Sequence, residues 1–330
     1  MKPKWHLAFC NVTYTEYGGV TYREYYSSPE LMLKTQLAAK EYAERRWGVG
    51  NFLRLGVETV GGAFSSLFGM TVVDSDKDEI PYLDTTKPVI TNVSDADRLV
   101  MGDPRTSGVM AKSYEFWKYY NEHGYPVDFG GASDVIGVAT ELTDMGVLKG
   151  MVDDPVNARR VLDIVVEAME KFAIFGASLS GKKFSGFTYT GDDHSGLLSP
   201  TMYREFAVPC YRRLYADNTT RFMHSELLRA EHLIIARDEV GITEFHGAGC
   251  KNLTLQEMHS IIGQHFWTQL TPQEMLELTP HQIDERIKEF VGSGCGYVQL
   301  YPGRGTPERN MEAAIEACRR ECTGGMQGKI

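Results

Sequence analysis

Five times in this chain a Ser, Thr or Asp stands directly before a proline at the opening of a helical pattern: Ser28-Pro29, Asp154-Pro155, Ser199-Pro200, Thr279-Pro280 and Thr306-Pro307. A side-chain oxygen there caps the first free amide groups, and proline at the first helical position gives up no hydrogen bond. Each junction belongs to a segment of about 30 to 45 residues that carries one short apolar run and one amphipathic stretch, the size of a repeated βα unit. Strand-like runs fall at 6–12, 52–57, 70–73, 127–129, 184–190, 221–224, 242–245 and 297–300, and helical patterns at 29–47, 107–121, 155–172, 200–215, 227–239, 255–262, 280–291 and 307–318. Eight such pairs predict a closed (β/α)8 barrel, with an open doubly wound sheet as the other arrangement that buries both faces of its strands.

No Pro-, Gly- or Ser-rich linker divides the 330 residues, so residues 1–330 are expected to form a single barrel domain. The stretch 74–103, rich in Asp, Pro and Thr and without periodicity, is expected to be an excursion over one end of it. With 42% hydrophobic and 24% charged residues, the composition is that of a folded globular chain rather than a disordered one. A formal charge of -10 without a compensating basic stripe argues against a nucleic-acid partner. Neither a signal peptide nor a membrane span is evident, so the cytoplasm is the expected compartment. Six scattered cysteines without a CxxC spacing are expected to be reduced, with Cys318 and Cys322 a loose surface pair. Gly61-Gly62, Gly130-Gly131 and Gly247-Ala-Gly249 do not make a dinucleotide or P-loop fingerprint.

Three strand-like runs end in polar residues, in Thr190-Gly-Asp-Asp-His194, in Phe222-Met-His-Ser-Glu226 and in Thr243-Glu-Phe-His246. Strand ends are where parallel α/β proteins expose reactive groups, so these endings predict one shared site. His224 and Glu226, with Asp193, His194 or His246, have the nitrogen and oxygen donors that a zinc ion accepts. The same His224 and Glu226 also read as a structural hydrogen-bonded pair, and His246 as a half-buried neutral histidine. Neighbouring carboxyls at Asp192 and Asp193 can push one pKa upward and leave a protonated acid, with Asp193 the expected donor. The dense aromatics Trp5, Phe9, Tyr14, Tyr17, Tyr22, Tyr25, Tyr26 and Phe64 read either as core or as the lining of a flat apolar pocket.

Residues from about 130 to 317 resemble the uroporphyrinogen decarboxylase superfamily, in particular its corrinoid-dependent methyltransferases. The resemblance rests on Gly191-Asp-Asp-His-Ser-Gly196 followed by Leu198-Ser-Pro200 and Tyr203-Arg-Glu-Phe206, on Phe222-Met-His-Ser-Glu226 where that family often has His-x-Cys-Gly, and on Thr279-Pro-His-Gln-Ile-Asp284 and Gly303-Arg-Gly-Thr-Pro-Glu308-Arg-Asn310 in order. It implies a (β/α)8 barrel. No N-terminal Arg-rich signature accompanies Arg23, which disfavours tetrapyrrole decarboxylation. The thiol-methylating branch holds zinc with His-x-Cys and a distant cysteine; here Glu226 stands at the first cysteine and Leu300-Tyr-Pro-Gly303 has none at the second.

A harder donor set suits an oxygen substrate better than a thiol. The resemblance therefore implies an enzyme that demethylates a phenyl methyl ether, using His224, Glu226, Asp193 and His246 as metal ligands and these with His194 as catalytic residues. The methyl acceptor is then a cobalt(I) corrinoid on a partner protein, since the chain lacks a DxHxxG corrinoid motif. A homodimer is a further expectation of the resemblance. Methylcobamide:thiol transfer, a cobalt-independent decarboxylation and a non-catalytic binding barrel are the alternatives.

Overall fold

Side chains on a parallel strand covered by helices are buried on both faces, and Phe266–Leu270 shows this directly, with all five residues buried. The computed structural model describes residues 2–74, 79–130 and 134–324. The chain divides into two compact units: Met1–Leu55 with His224–Ala230 and Thr243–Ile330, and Gly56–Met223 with Glu231–Ile242.

Four strands of the first unit, β1 (Lys4–Leu7), β6 (Glu244–His246), β7 (Phe266–Leu270) and β8 (Tyr297–Leu300), lie side by side in the order β1-β8-β7-β6. All three pairings are parallel, with Leu7 opposite Leu300, Leu270 opposite Leu300, and His246 opposite Trp267. The strand β5 (Phe222–His224) ends in this unit, where the Ser225 amide donates to the His246 carbonyl at 3.0 Å. Helices Pro29–Trp47, Leu255–Ile262, Pro280–Gly292 and Glu308–Glu321 alternate with these strands.

The second unit contains the start of β5 beside β4 (Tyr189–Gly191), joined through the Phe222 amide and the Thr188 carbonyl at 3.0 Å. Its core is mostly helical, built on Gly108–Glu122, Val135–Thr143, Pro155–Leu179 and Val208–Tyr215. A short antiparallel pair, β2 (Val72–Val73) and β3 (Tyr82–Leu83), is separate from the parallel strands. Of the expected excursion 74–103, residues 75–78 lie outside the described residues, as does Gly131. The rest is anchored in the second unit by buried Ile90, Val93, Ala96 and Leu99.

The strand pattern differs from the sequence expectation. Residues 52–57 and 127–129 form no strand, 70–73 yields only the antiparallel β2, and β7 lies where no strand was expected. Side chains take the carbonyls that a neighbouring strand would have used. Lys40 Nζ donates to the Leu53 carbonyl at 2.7 Å, the Tyr14 hydroxyl to that of Arg54 at 2.5 Å, and Trp117 Nε1 to that of Val127 at 2.8 Å. A backbone satisfied in this way has no need of a ladder. The result is an α/β chain with parallel strands, six of them among the described residues. No described helix is long and apolar enough to cross a membrane.

Candidate functional site

In-register pairing of β6 with β7 and the Ser225–His246 bond fix where β5 and β6 end, and each ends in histidine. His224 Nδ1 and His246 Nδ1 lie 3.0 Å apart, so one ring donates a hydrogen bond and the other accepts it. His246 is buried, and burial, then the nearby His224 and His6, hold its pKa well below the usual value. It is therefore the neutral, accepting member when His224 carries a proton. His224 is half-buried.

Around the pair stand residues that the sequence did not single out. His6, on β1, is pushed down to about 4 by burial and then by Arg54, and its ring meets Trp267 edge-on at 5.4 Å. Trp267 lies 6.1 Å from His246 and donates through Nε1 to Glu244 at 3.0 Å. Gln269 and Gln299 are also buried on β7 and β8. His6 Nδ1 and Gln299 Oε1 have no hydrogen-bond partner among the described residues. The signal for His6 was available, because strand alternation puts Trp5 and Leu7 on one face of β1 and His6 on the other.

Glu226 is exposed and lines a solvent-open groove of about 1250 Å³ with Gly247, Cys250, His259, Phe290 and others; neither His224 nor His246 lines it. For zinc, the two imidazole nitrogens supply neutral donors close to the spacing that metal–nitrogen bonds of about 2.0–2.1 Å require. Among the described residues, however, no three His, Cys, Asp or Glu side chains are grouped to hold a metal ion. Two donors are thus in place without a third.

Asp193 and His194 belong to the second unit, where they follow β4. His194 bonds to Asp134 rather than to the other expected site residues. Its Nδ1 and its backbone amide both reach Asp134 Oδ2, at 2.8 and 2.7 Å, and the Asp134 bond raises the imidazole pKa. Asp193 is half-buried, and the neighbouring Asp192 carboxyl is driven upward by complete burial and then by Asp134. Tyr211 and Tyr203 donate to Asp192 at 2.6 and 3.0 Å, which makes it a structural hub of this unit. Glu141, on the helix Val135–Thr143, is also raised by burial and takes a hydrogen bond from Ser65. Neither Asp134 nor Glu141 stands in a strand-end motif, so sequence reading passed over both.

One further expectation is corrected and one open alternative is decided. Cys318 and Cys322 are buried rather than on the surface, because the helix Glu308–Glu321 turns that face inward beside Ile315 and Ala314. The N-terminal aromatics form a packed cluster: Phe9 stacks on Tyr17 at 5.3 Å, Tyr17 on Tyr42 at 5.1 Å, and Trp5, Tyr14, Tyr22, Tyr25 and Tyr26 are buried. Phe64 instead lines a cavity in the second unit.

No family model matches the chain, and no curated protein matches it. Among solved structures, a methyltransferase from Methanosarcina mazei aligns with 97% of this chain and 94% of its own, with a TM-score of 0.71 and 18% sequence identity. With so little shared sequence and nearly full coverage of both chains, the likeness is one of fold: the chain has the α/β fold of that methyltransferase.

Proposed function

We propose that this protein is a methyltransferase on a (β/α)8-type barrel that removes the methyl group of a phenyl methyl ether and passes it to the cobalt(I) corrinoid of a partner protein. The observation that carries the reading is the His224–His246 pair at the ends of two parallel strands. The fold shared with a methyltransferase supports the reaction class, and the family resemblance of the sequence supports the corrinoid acceptor. In the transfer, the O–CH3 bond breaks, the methyl group bonds to cobalt through the cobalt(I) electron pair, and the ether oxygen keeps the electrons of the broken bond. A departing phenolate, whose conjugate acid has a pKa of about 10, needs that charge stabilised as it forms.

His224 is assigned this task. In this assignment neutral His246 accepts from His224 Nδ1–H and fixes the ring, and His224 Nε2 is the proton donor to the leaving oxygen. A zinc ion held by His224 and His246 in place of their shared proton would supply Lewis acidity at the same oxygen.

The test is to incubate the protein with reduced corrinoid carrier and a panel of methoxybenzenes, methylamines, methanol and methyl thioethers, and to follow methyl-cobalt formation by its visible spectrum. Conversion of the aryl ethers alone is expected. Conversion only of another donor would defeat the ether assignment. No exchange with any donor, in metal-loaded protein and with more than one carrier, would shift the reading to a decarboxylase or a binding protein.

A further inference from the structure

The second unit holds a cavity of about 270 Å³ that the methyl-transfer reading does not use. Phe64, Phe129, Phe172 and Met110 form much of its apolar wall, with Glu141, Asp134 and His194 among its polar lining. Phe172 stands 5.7 Å from Phe64 with 79° between the ring planes, and 5.6 Å from Phe129 with 57°. The rings are therefore angled walls rather than a flat stack, and all three are buried and held by their neighbours.

The charges of this lining are unevenly matched. Asp134 is bonded to the His194 ring and to the backbone amides of His194 and Gly137. Asp128, at the rim, is paired with Lys182 at 2.8 Å. Glu141 is different: its hydrogen bond comes from a hydroxyl, Ser65, no Lys or Arg among the described residues forms an ion pair with it, and the imidazole that acts on it, His194, is already bonded to Asp134. A half-buried carboxyl whose cationic neighbour is already bonded to another carboxylate is costly to ionise, and a positively charged ligand would offset that cost.

We propose that this cavity binds a small organic ammonium ion, its charged nitrogen against Glu141 and its alkyl groups against Phe64, Phe129 and Phe172. Aromatic faces attract a cation, and they do so most strongly where water is excluded. An anion would meet Glu141 and Asp134, and an uncharged apolar ligand would leave Glu141 uncompensated. The volume lies just under the range of about 300–1,000 Å³ typical of drug-sized sites, which limits the ligand to a few carbons around the nitrogen. The cavity is formed by the second unit alone, so the proposal does not rest on the methyl-transfer reading.

Calorimetric titration of the full chain tests it with three probes: choline, its uncharged isostere 3,3-dimethyl-1-butanol, and benzoate. Choline is expected to bind at least about tenfold more tightly than the isostere, and Glu141→Gln to lose about the same factor. Phe172→Leu and Phe64→Leu should each weaken choline severalfold, with melting temperatures recorded for every variant. If Glu141→Gln does not fold, the choline-to-isostere ratio and the two phenylalanine variants decide. His224→Asn should retain choline binding, which separates this site from the methyl-transfer assay. Equal binding of the isostere, preference for benzoate, absence of binding by all three probes, or unchanged choline affinity in a folded Glu141→Gln would each overturn the proposal.

Discussion

Two buried acid–base groups show how differently one kind of physics can be used. His246 is kept neutral by burial at the end of β6, where its Nδ1 lies 3.0 Å from that of His224. If this pair protonates the leaving oxygen, His224→Asn and His246→Asn should each lower the methyl-transfer rate by roughly 10²- to 10⁴-fold, the range for loss of a general acid, with the far-ultraviolet circular dichroism unchanged. A rate within severalfold of wild type in either variant would remove the pair from the mechanism. The Asp192 carboxyl is pushed well above the ordinary range by burial and by Asp134, and two tyrosine hydroxyls hold it in place. Its folded pKa is above the ordinary 3.8, so over that interval the folded state binds more protons than the unfolded one. Stability contributed by Asp192 is therefore full below 3.8 and declines as pH rises toward the folded pKa. Asp192→Asn should flatten this decline, which denaturant midpoints between pH 4 and 8 would reveal; an identical slope in both proteins would contradict the assignment. Removing the side chain altogether, in Asp192→Ala, should instead destabilise by about 1–3 kcal/mol for each hydroxyl left unpaired.

At the scale of elements, Ser28, Asp154, Ser199 and Thr279 cap their helices as the sequence predicts, whereas Thr306 donates to the Gly303 carbonyl and its helix starts at Glu308; the irregular turns have local causes. Thr254, Thr271 and Thr279 each form a reciprocal capping box, and Thr279→Ala should cost about 0.5–2 kcal/mol in thermal or chemical melts. The helical region opened by Ser199 and Pro200 widens into a π turn at Tyr203–Ala207 just before Pro209. Proline cannot donate to the carbonyl four residues back, and a wider turn accommodates that loss. Gly176, late in the helix Pro155–Leu179, is a closer constraint: a Cβ there would sit 2.0 Å from the Phe129 carbonyl oxygen. Backbone cannot yield as a flexible side chain can, so Gly176→Ala should destabilise by at least about 1–3 kcal/mol and weaken choline binding through Phe129. A variant with wild-type melting temperature and affinity would show that this approach is not rigid.

For the whole molecule, the cysteines give a direct measure of burial. Five of the six are buried and Cys10 is half-buried, all as free thiols. Burial pushes Cys210 up to about 12 and Cys295 up to about 11. A thiol reagent applied to the native protein should modify Cys10 first and reach all six only in denaturant; fast reaction of several native thiols would contradict the packing.

The sequence by itself determined the repeated strand-and-helix character of the chain, most helix starts, and the strand ends that carry His224 and His246. These are local properties, set by capping chemistry and by periodicity over a few turns. Only the tertiary structure decided which strands exist, because a parallel strand depends on a neighbour distant in sequence. Side chains such as Lys40 and Trp117 can take the carbonyls at 53 and 127 instead. It also decided that His194 turns to Asp134, that the buried Asp192 carboxyl is elevated, and that the N-terminal aromatics pack together. Each of those outcomes is a question of burial and long-range pairing, which spacing along the chain does not encode.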